Sequence, residues 1–296
     1  MKNDNDKRVV CIPSGGLGNQ YFQYLYAKNV SLVNNISIKF NETLIDLDFK
    51  YKTKFFLRIN KNKDKFFDSL FISIFLIFKK FKIIKIKNQY QFFNNLIICD
   101  FENKKFKNFE NIKIDEFKRI YLLGYFQSED YFIENKTKLI EHIKPIEEDN
   151  RLFQQYIDNF NPEKAVFVGL RFYEEAGDHK NNFGGIENEV FYHNCINNFK
   201  KKIKDPKFYF FSTIDLKKNK LINYPENSVI IDRNVNANTF ETLYFISMFK
   251  NFIVSNSTFY WWGAYFAEMK YKKIKIISSK NFINKHIIPK RWMGFN

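Results

Sequence analysis

The chain has 296 residues, enough for two domains of ordinary size, and 45% of them are hydrophobic, which excludes a disordered chain. Its net charge of +16 favours an anionic partner: nucleic acid, an anionic membrane surface or a phosphorylated ligand. The three cysteines, Cys11, Cys99 and Cys195, are far apart and predict neither a disulfide framework nor a zinc site. Such cysteine usage fits a cytoplasmic protein.

The first predicted elements are a strand, a glycine-rich turn and a helix. An apolar strand over residues 9–13 runs into a turn that contains Gly15, Gly16 and Gly18, and apolar residues then recur at helical spacing. Glycine permits positive φ and lets a ligand approach the backbone, so this turn predicts a ligand-binding loop. The full G-x-G-x-x-G pattern of a dinucleotide site is absent.

The middle of the first half alternates Phe-rich and Lys-rich segments. Its predicted elements are a strand over 36–40, a helix over 64–79 and strands near 83–86 and 95–99. The apolar run at 70–78 is too short to span a bilayer. It predicts a helix that is either buried in the core or lies on a membrane surface.

Two aspartates in this region raise the question of a metal. Asp46 and Asp48 have the D-x-D form that some metal-dependent sugar transferases use. With 32 acidic residues in the chain such a match is expected by chance, so no metal site is predicted.

The predicted domain boundary lies near residue 150. A strand over 119–123 precedes a charged helix, and residues 144–164 then carry two prolines and many charges, which is typical of a linker. We therefore predict domains over 1–150 and 151–296. The second half is predicted to contain strands over 165–170, 208–211, 229–231, 252–254 and 274–277, with helices over 187–203 and 238–249. Apolar strands that alternate with helices predict an α/β fold with two Rossmann-like domains.

Polar residues follow several of these strands, at the edge where parallel sheets bind ligands. Arg171 ends an apolar strand, where a guanidinium can chelate a phosphate; an ion pair with Glu174 or Glu175 is the alternative. Residues 255–258 combine hydroxyls with the N–H groups of a following helix, which suits a phosphate; an ordinary helix N-cap is the alternative. Together they predict a metal-free clamp for the diphosphate of a nucleotide sugar.

Three motifs closely resemble the bacterial α-1,2-fucosyltransferase family. They are GGLGNQYFQY at 15–24, GYFQSE at 124–129 and SNSTFYWWGA at 255–264, and the strand end at 210–215 is also similar. The resemblance implies an inverting, metal-independent transferase with two Rossmann-like domains facing a cleft, the GT-B architecture. It implies GDP-fucose as the donor, the 2-hydroxyl of a galactoside as the acceptor, no cofactor, and a role in surface glycans such as O-antigen or capsule.

The resemblance also assigns roles to residues. The C-terminal domain would hold the donor, and Asn19 of the N-terminal domain would reach the diphosphate or the fucose. The expected donor-binding residues are Gly16, Gly18, Asn19, Arg171, Ser212, Asp232, Glu241, Ser255, Asn256, Ser257 and Thr258. Asp232 and Glu241 are candidates for the guanine N–H groups.

The catalytic candidates are Arg171 and Asn19, with Glu174 and Asp178 as possible general bases that would deprotonate the acceptor. A loosely bonded transition state would need little help from a base, so the alternative is that no base is identifiable. Trp261 and Trp262 are predicted to pack in the core rather than to stack on a sugar.

One motif departs from the family. Members often carry His-x-Arg-Arg-Gly-Asp on the strand that opens the second domain; here Arg171 is retained, Gly169 stands at the histidine and Phe172 at the second arginine. A related transferase with another nucleotide sugar or linkage is therefore the alternative function. A nucleic-acid-binding protein is a more distant one, disfavoured by dispersed charge. An anionic inner-membrane surface is a further candidate partner.

Overall fold

The computed structural model describes residues 7–42, 44, 66–80, 89–92, 94–100, 116–145, 150–158, 160–171, 187–212, 216, 222–231, 239–282 and 284–295. The chain divides into two compact units, Met1–Ile143 and Lys144–Asn296. Each unit is built around one largely parallel sheet with helices packed on it, which confirms the predicted α/β fold class.

The first unit contains a five-stranded sheet in the order β2-β1-β5-β4-β3. Its strands are β1 (Arg8–Ile12), β2 (Ser37–Phe40), β3 (Gln89–Phe92), β4 (Asn95–Asp100) and β5 (Arg119–Gly124). Neighbouring strands are parallel except for β3, which pairs antiparallel with β4. Because β1 and β5 are adjacent and parallel, the turns that follow them leave the sheet at the same edge.

In the described ranges three helices accompany this sheet: α1 (Leu17–Asn34), α2 (Phe66–Lys80) and α3 (Lys136–Ile140). The end of α1 is set by Asn35, whose left-handed backbone (φ 49°) returns its N–H to the helix carbonyls. The charged helix predicted after β5 is instead two short 3-10 turns followed by α3, because the backbone of Phe132 (φ −145°, ψ 4°) breaks helical geometry.

The second unit contains a six-stranded, fully parallel sheet in the order β11-β10-β9-β6-β7-β8. Its strands are β6 (Ala165–Gly169), β7 (Lys207–Phe211), β8 (Ser228–Ile230), β9 (Asn251–Val254), β10 (Lys275–Ser279) and β11 (Met293–Phe295). Counted from β6, this is the 3-2-1-4-5-6 order of a dinucleotide-binding sheet, and the order reverses between β6 and β9. A ligand is expected beyond the carboxyl ends of those two strands.

The helices that the structure describes in this unit are α4 (Gln154–Ile157), α5 (Glu189–Lys202), α6 (Thr239–Ile246) and α7 (Thr258–Lys270). The most aromatic packing surrounds α7, where Trp261 and Trp262 are fully buried and the Trp261 ring stacks on Tyr265 at 4.5 Å between centroids. The indole N–H of Trp261 donates to the carbonyl of Ile287 at 2.9 Å. Both tryptophans are therefore core residues, as predicted.

Candidate functional site

The predicted clamp of the second unit is assembled at the strand switch point. Gly169 at the end of β6 pairs with Val254 at the end of β9, so the residues that follow both strands leave the sheet side by side. The half-buried Arg171 guanidinium donates through Nη1 to the main-chain carbonyl of Asn256. The structure thus brings the two predicted parts of the clamp, Arg171 and the 255–258 turn, into direct contact.

The start of α7 lacks a side-chain cap. Ser257 occupies the N-cap position in extended conformation, but its side chain accepts no hydrogen bond from the helix. The Ser257 N–H donates to the Ser255 carbonyl at 2.6 Å, and the Trp261 N–H donates to the Ser257 carbonyl at 2.9 Å. The N–H groups of the first turn have no acceptor within the helix, and the N-cap side chain, as the described residues show, does not supply one. This positive helix end is suited to an anion, and the alternative of an ordinary N-cap is disfavoured.

Ser255 contributes a further polar atom to this turn. Its side chain is fully buried, and among the described residues its Oγ has no hydrogen-bond partner. A buried hydroxyl without a partner costs free energy, so such groups are uncommon outside ligand and water sites. Ser255, Arg171 and the uncapped helix start therefore form a compact set of hydrogen-bond donors.

The first unit holds a separate polar network between its two motif loops. Gln23 of α1 accepts from the Ser14 N–H at 3.0 Å and donates to the Gly124 carbonyl at 2.9 Å. Gln20 donates to the carbonyl of Gly15, whose φ of +73° favours glycine. Side-chain amides from one helix therefore fix both loops at the carboxyl ends of β1 and β5.

Asn19 lies where these loops meet. Its Oδ1 accepts a hydrogen bond from Gln127 Nε2 at 2.9 Å, and its Nδ2 lies 2.8 Å from where a Cβ on Gly15 would stand. With Oδ1 engaged as an acceptor, the half-buried amide presents its NH₂ group as a donor. The structure thus orients the predicted Asn19, and it adds Gln127, whose role the sequence did not reveal.

A buried carboxylate holds the second loop. Asp100 ends β4, and its Oδ2 accepts the N–H of Phe126, a residue with the uncommon φ of +49°, at 2.7 Å. Burial raises the pKa of Asp100 from 3.8 to about 6, although the bond from Phe126 opposes that rise. Asp100 therefore stabilises the turn that places Gln127 on Asn19.

Comparison with known proteins now identifies the family. The model of glycosyl transferase family 11 matches residues 8–296. The chain belongs to this family. An α-1,2-colitosyltransferase of Escherichia coli is 28% identical over 273 residues, covering 87% of each chain.

The chain is also similar to solved fucosyltransferase structures. A mutant of Arabidopsis thaliana FUT1 in complex with GDP superposes with a TM-score of 0.48 at 10% identity, over 87% of this chain and 68% of the other. The fucosyltransferase NodZ from Bradyrhizobium superposes with a TM-score of 0.44 at 11% identity, over 88% of this chain and 92% of the other.

The departure from the family-11 histidine is explained by packing. A Cβ on Gly169 would lie 2.5 Å from Cδ2 of the buried Tyr260 ring. Tyr260 packs edge-on against Phe167 at 5.6 Å between centroids and donates its hydroxyl to the Leu170 carbonyl at 3.0 Å. Tyr260 therefore fills the space of a side chain at 169 and ties the start of α7 to the residue before Arg171.

Two other predicted donor-site residues of this family-11 chain lie within the described residues of the second unit. Ser212 is buried directly after β7, whose last residue pairs with Gly169, so it belongs to the same sheet edge. Glu241 is half-buried in the first turn of α6. The other candidates lie outside the described residues: Asp46, Asp48, Phe172, Glu174, Glu175, Asp178 and Asp232.

A second buried carboxylate lies at the carboxyl edge of this sheet. Glu187 is buried and accepts a hydrogen bond from Ser279, the last residue of β10. Burial raises its pKa, while the bonds from Ser279 and Asn281 oppose the rise. Sequence reasoning did not single out Glu187, because no strand precedes it directly. Within the described ranges, no group of His, Cys, Asp and Glu has the arrangement of a metal site.

Proposed function

We propose that this family-11 transferase moves L-fucose from GDP-fucose to the 2-hydroxyl of a galactoside, with inversion and without a metal. The observation that carries the proposal is the contact of Arg171 with the turn before the uncapped start of α7. The three motifs support GDP-fucose, and the α-1,2 linkage agrees with the linkage named for the E. coli relative. The product would be a surface glycan such as O-antigen or capsule.

The clamp would act on the leaving group. One guanidinium N–H of Arg171 donates to the Asn256 carbonyl, which holds the side chain at the turn where the phosphate would bind. The α7 N–H groups and the Ser255 hydroxyl would complete the contacts. As the bond from sugar to diphosphate breaks, negative charge grows on the diphosphate, and fixed donors stabilise it without reorganising.

The acceptor hydroxyl would attack from the opposite face of the sugar, which inverts its configuration. Glu174 and Asp178 remain the proposed bases, on the strength of their position after Arg171 in the sequence. In the first unit, Asn19 would offer its NH₂ group to a donor or sugar oxygen. The hydrogen bond from Gln127 supports this role by orienting the amide.

A transferase for another sugar is the second candidate. It is favoured by the colitosyl group named for the E. coli relative and by Phe172 at the second arginine position. A screen of GDP-linked and UDP-linked sugars, with and without chelator, separates the candidates. Turnover of another donor in preference to GDP-fucose would replace the first proposal, and loss of turnover with chelator would contradict the metal-free mechanism.

The clamp itself is tested by titrating GDP into variants. Arg171→Ala should weaken GDP binding by roughly 10- to 100-fold, because charge-assisted hydrogen bonds contribute about 1.5 to 3 kcal/mol. Arg171→Lys should lose less, since it keeps the charge but not the planar fork. The control is Arg291→Ala, which removes an arginine of the same unit whose ion pair is with Glu268. Equal GDP affinity in Arg171→Ala and Arg291→Ala would remove the clamp from the mechanism.

A further inference from the structure

Helix α2 is apolar on two opposite faces. Its inner face is buried in the core of the first unit, where Ile72 and Phe75 pack with strand residues such as Ile97. Its outer face carries large apolar side chains that are between 42% and 50% exposed: Leu70, Ile74, Ile77 and Phe78. Spacings of four, three and one residues place these side chains on one side of the helix.

This outer face differs from other exposed apolar residues of the described chain. The remaining large ones occur singly, as Val33 in α1 and Val190 in α5 do, and isolated exposed hydrophobics are normal on any protein. A row of four on one helix is a contiguous patch, which marks an interaction surface. The sequence predicted that this helix is either buried in the core or lies on a surface, and the two faces of α2 meet both descriptions.

The sequence on either side of this helix has a local excess of basic residues. Residues 50–87, which include α2, carry twelve Lys and Arg but only two Asp and no Glu. That segment supplies ten of the sixteen net positive charges of the protein. Basic residues that flank an apolar helical face are the composition of helices that lie in the interface of an anionic bilayer.

We propose that the outer face of α2 docks on an anionic phospholipid bilayer. Apolar side chains would enter the boundary between headgroups and acyl chains, and the basic residues that flank α2 in the sequence would contact lipid phosphates. A second copy of the chain is a poorer occupant, because a two-fold contact would bring two such basic segments together. Nucleic acid would engage the cations but not the apolar row. The role of this docking rests on the proposed function: it would bring the transferase to an acceptor that is carried by a membrane lipid.

The test is sedimentation of the full chain with vesicles. We expect binding to vesicles of phosphatidylglycerol and phosphatidylcholine to exceed binding to phosphatidylcholine alone by at least tenfold, and to weaken in high salt. The double variant Ile74→Ser, Ile77→Ser should reduce the bound fraction at least tenfold. The matched control Val33→Ser, Val190→Ser removes two apolar residues outside the patch that are even more exposed, and it should bind as the wild type does.

Three results would overturn the proposal. The first is equal vesicle binding by the α2 variant and the control. The second is a marked loss of thermal stability in the α2 variant alone, which would mean that the chain itself covers the face. The third is a dimer in sedimentation velocity that the α2 variant abolishes, which would make a second copy the occupant. GDP affinity should be unchanged in both double variants, so failure of the membrane proposal is distinguishable from failure of the donor site.

Discussion

Replacing Gly169 by Ala tests how the second unit holds its strand end. The added Cβ would lie 2.5, 2.8 and 2.9 Å from Cδ2, Cγ and Cε2 of Tyr260, well inside van der Waals contact. The ring has little freedom to move, because its hydroxyl is bonded to Leu170 and Phe167 and Phe211 pack against it. Gly169 does not have positive φ, so the cost is steric alone. Such overpacking costs about 1 to 3 kcal/mol.

A double-mutant cycle isolates this contact. Tyr260→Ala alone should cost about 3 to 5 kcal/mol, as large aromatic truncations in a core do. In that background Gly169→Ala should cost nothing, which gives a coupling of about 1 to 3 kcal/mol between the two sites. Gly294→Ala is the control, because the nearest atoms to its new Cβ belong to the flexible side chain of Lys280, with Cε at 2.9 Å. It should change stability by less than about 0.5 kcal/mol.

The measurement is urea unfolding followed by tryptophan fluorescence. All three tryptophans, Trp261, Trp262 and Trp292, belong to the second unit, so their emission reports the unit that contains Gly169. Two results would contradict the contact: Gly169→Ala unfolds at the wild-type urea concentration, or its cost in stability is the same with and without Tyr260. Either result would mean that the ring yields freely and does not fix the residue before Arg171.

Two further predictions concern the first unit. Because the folded-state pKa of Asp100 is raised from 3.8 to about 6, the native state loses stability as pH rises through that window, by roughly 3 kcal/mol. Asp100→Asn keeps an acceptor for the Phe126 N–H, so amide exchange in β4 and β5 should show higher stability than wild type at pH 7.5 and equal stability below pH 4. Gln127→Glu replaces the donor to Asn19 Oδ1 by a carboxylate, so the Asn19 amide should turn its NH₂ group towards residue 127. Turnover of the sugar donor should then fall at least tenfold without loss of stability, and it should recover partly at low pH as the new carboxylate is protonated. Gln127→Ala, which introduces no charge, should lose less turnover. Equal turnover in all three would exclude an orienting role.

Local pattern was sufficient for most of the fold. The strands that form the centres of both sheets are continuous apolar runs, such as Ala165–Gly169, and hydrophobic burial selects them wherever they pair. The strands Gln89–Phe92 and Met293–Phe295 were not predicted, because they are short edge strands without a continuous apolar run. Pairing with a neighbour, which a single sequence does not display, is what makes them strands. The strand expected near 83–86 lies outside the described residues.

The residues of the candidate site also fall into a group that was predictable from local sequence and a group that was not. Residues that follow apolar strands, such as Arg171 and Ser255, were predictable, because a parallel sheet delivers its strand ends to one edge. Gln127, Asp100 and Glu187 were not, since each acts through a partner distant in the sequence. The positive φ of Phe126 is not visible in the sequence, and its cause becomes clear only from the hydrogen bond with Asp100.

The packing of Tyr260 bears on the question of the donor. Gly169 at the family's histidine position was one of two reasons to consider a different sugar. In this chain, the direction in which a side chain at 169 would extend is occupied by the Tyr260 ring, which reaches past it to the Leu170 carbonyl. Gly169 and Tyr260 are thus a matched small and large pair, and a histidine at 169 would require a smaller residue at 260. The glycine is a requirement of packing behind the clamp, so it provides no argument for a different nucleotide sugar.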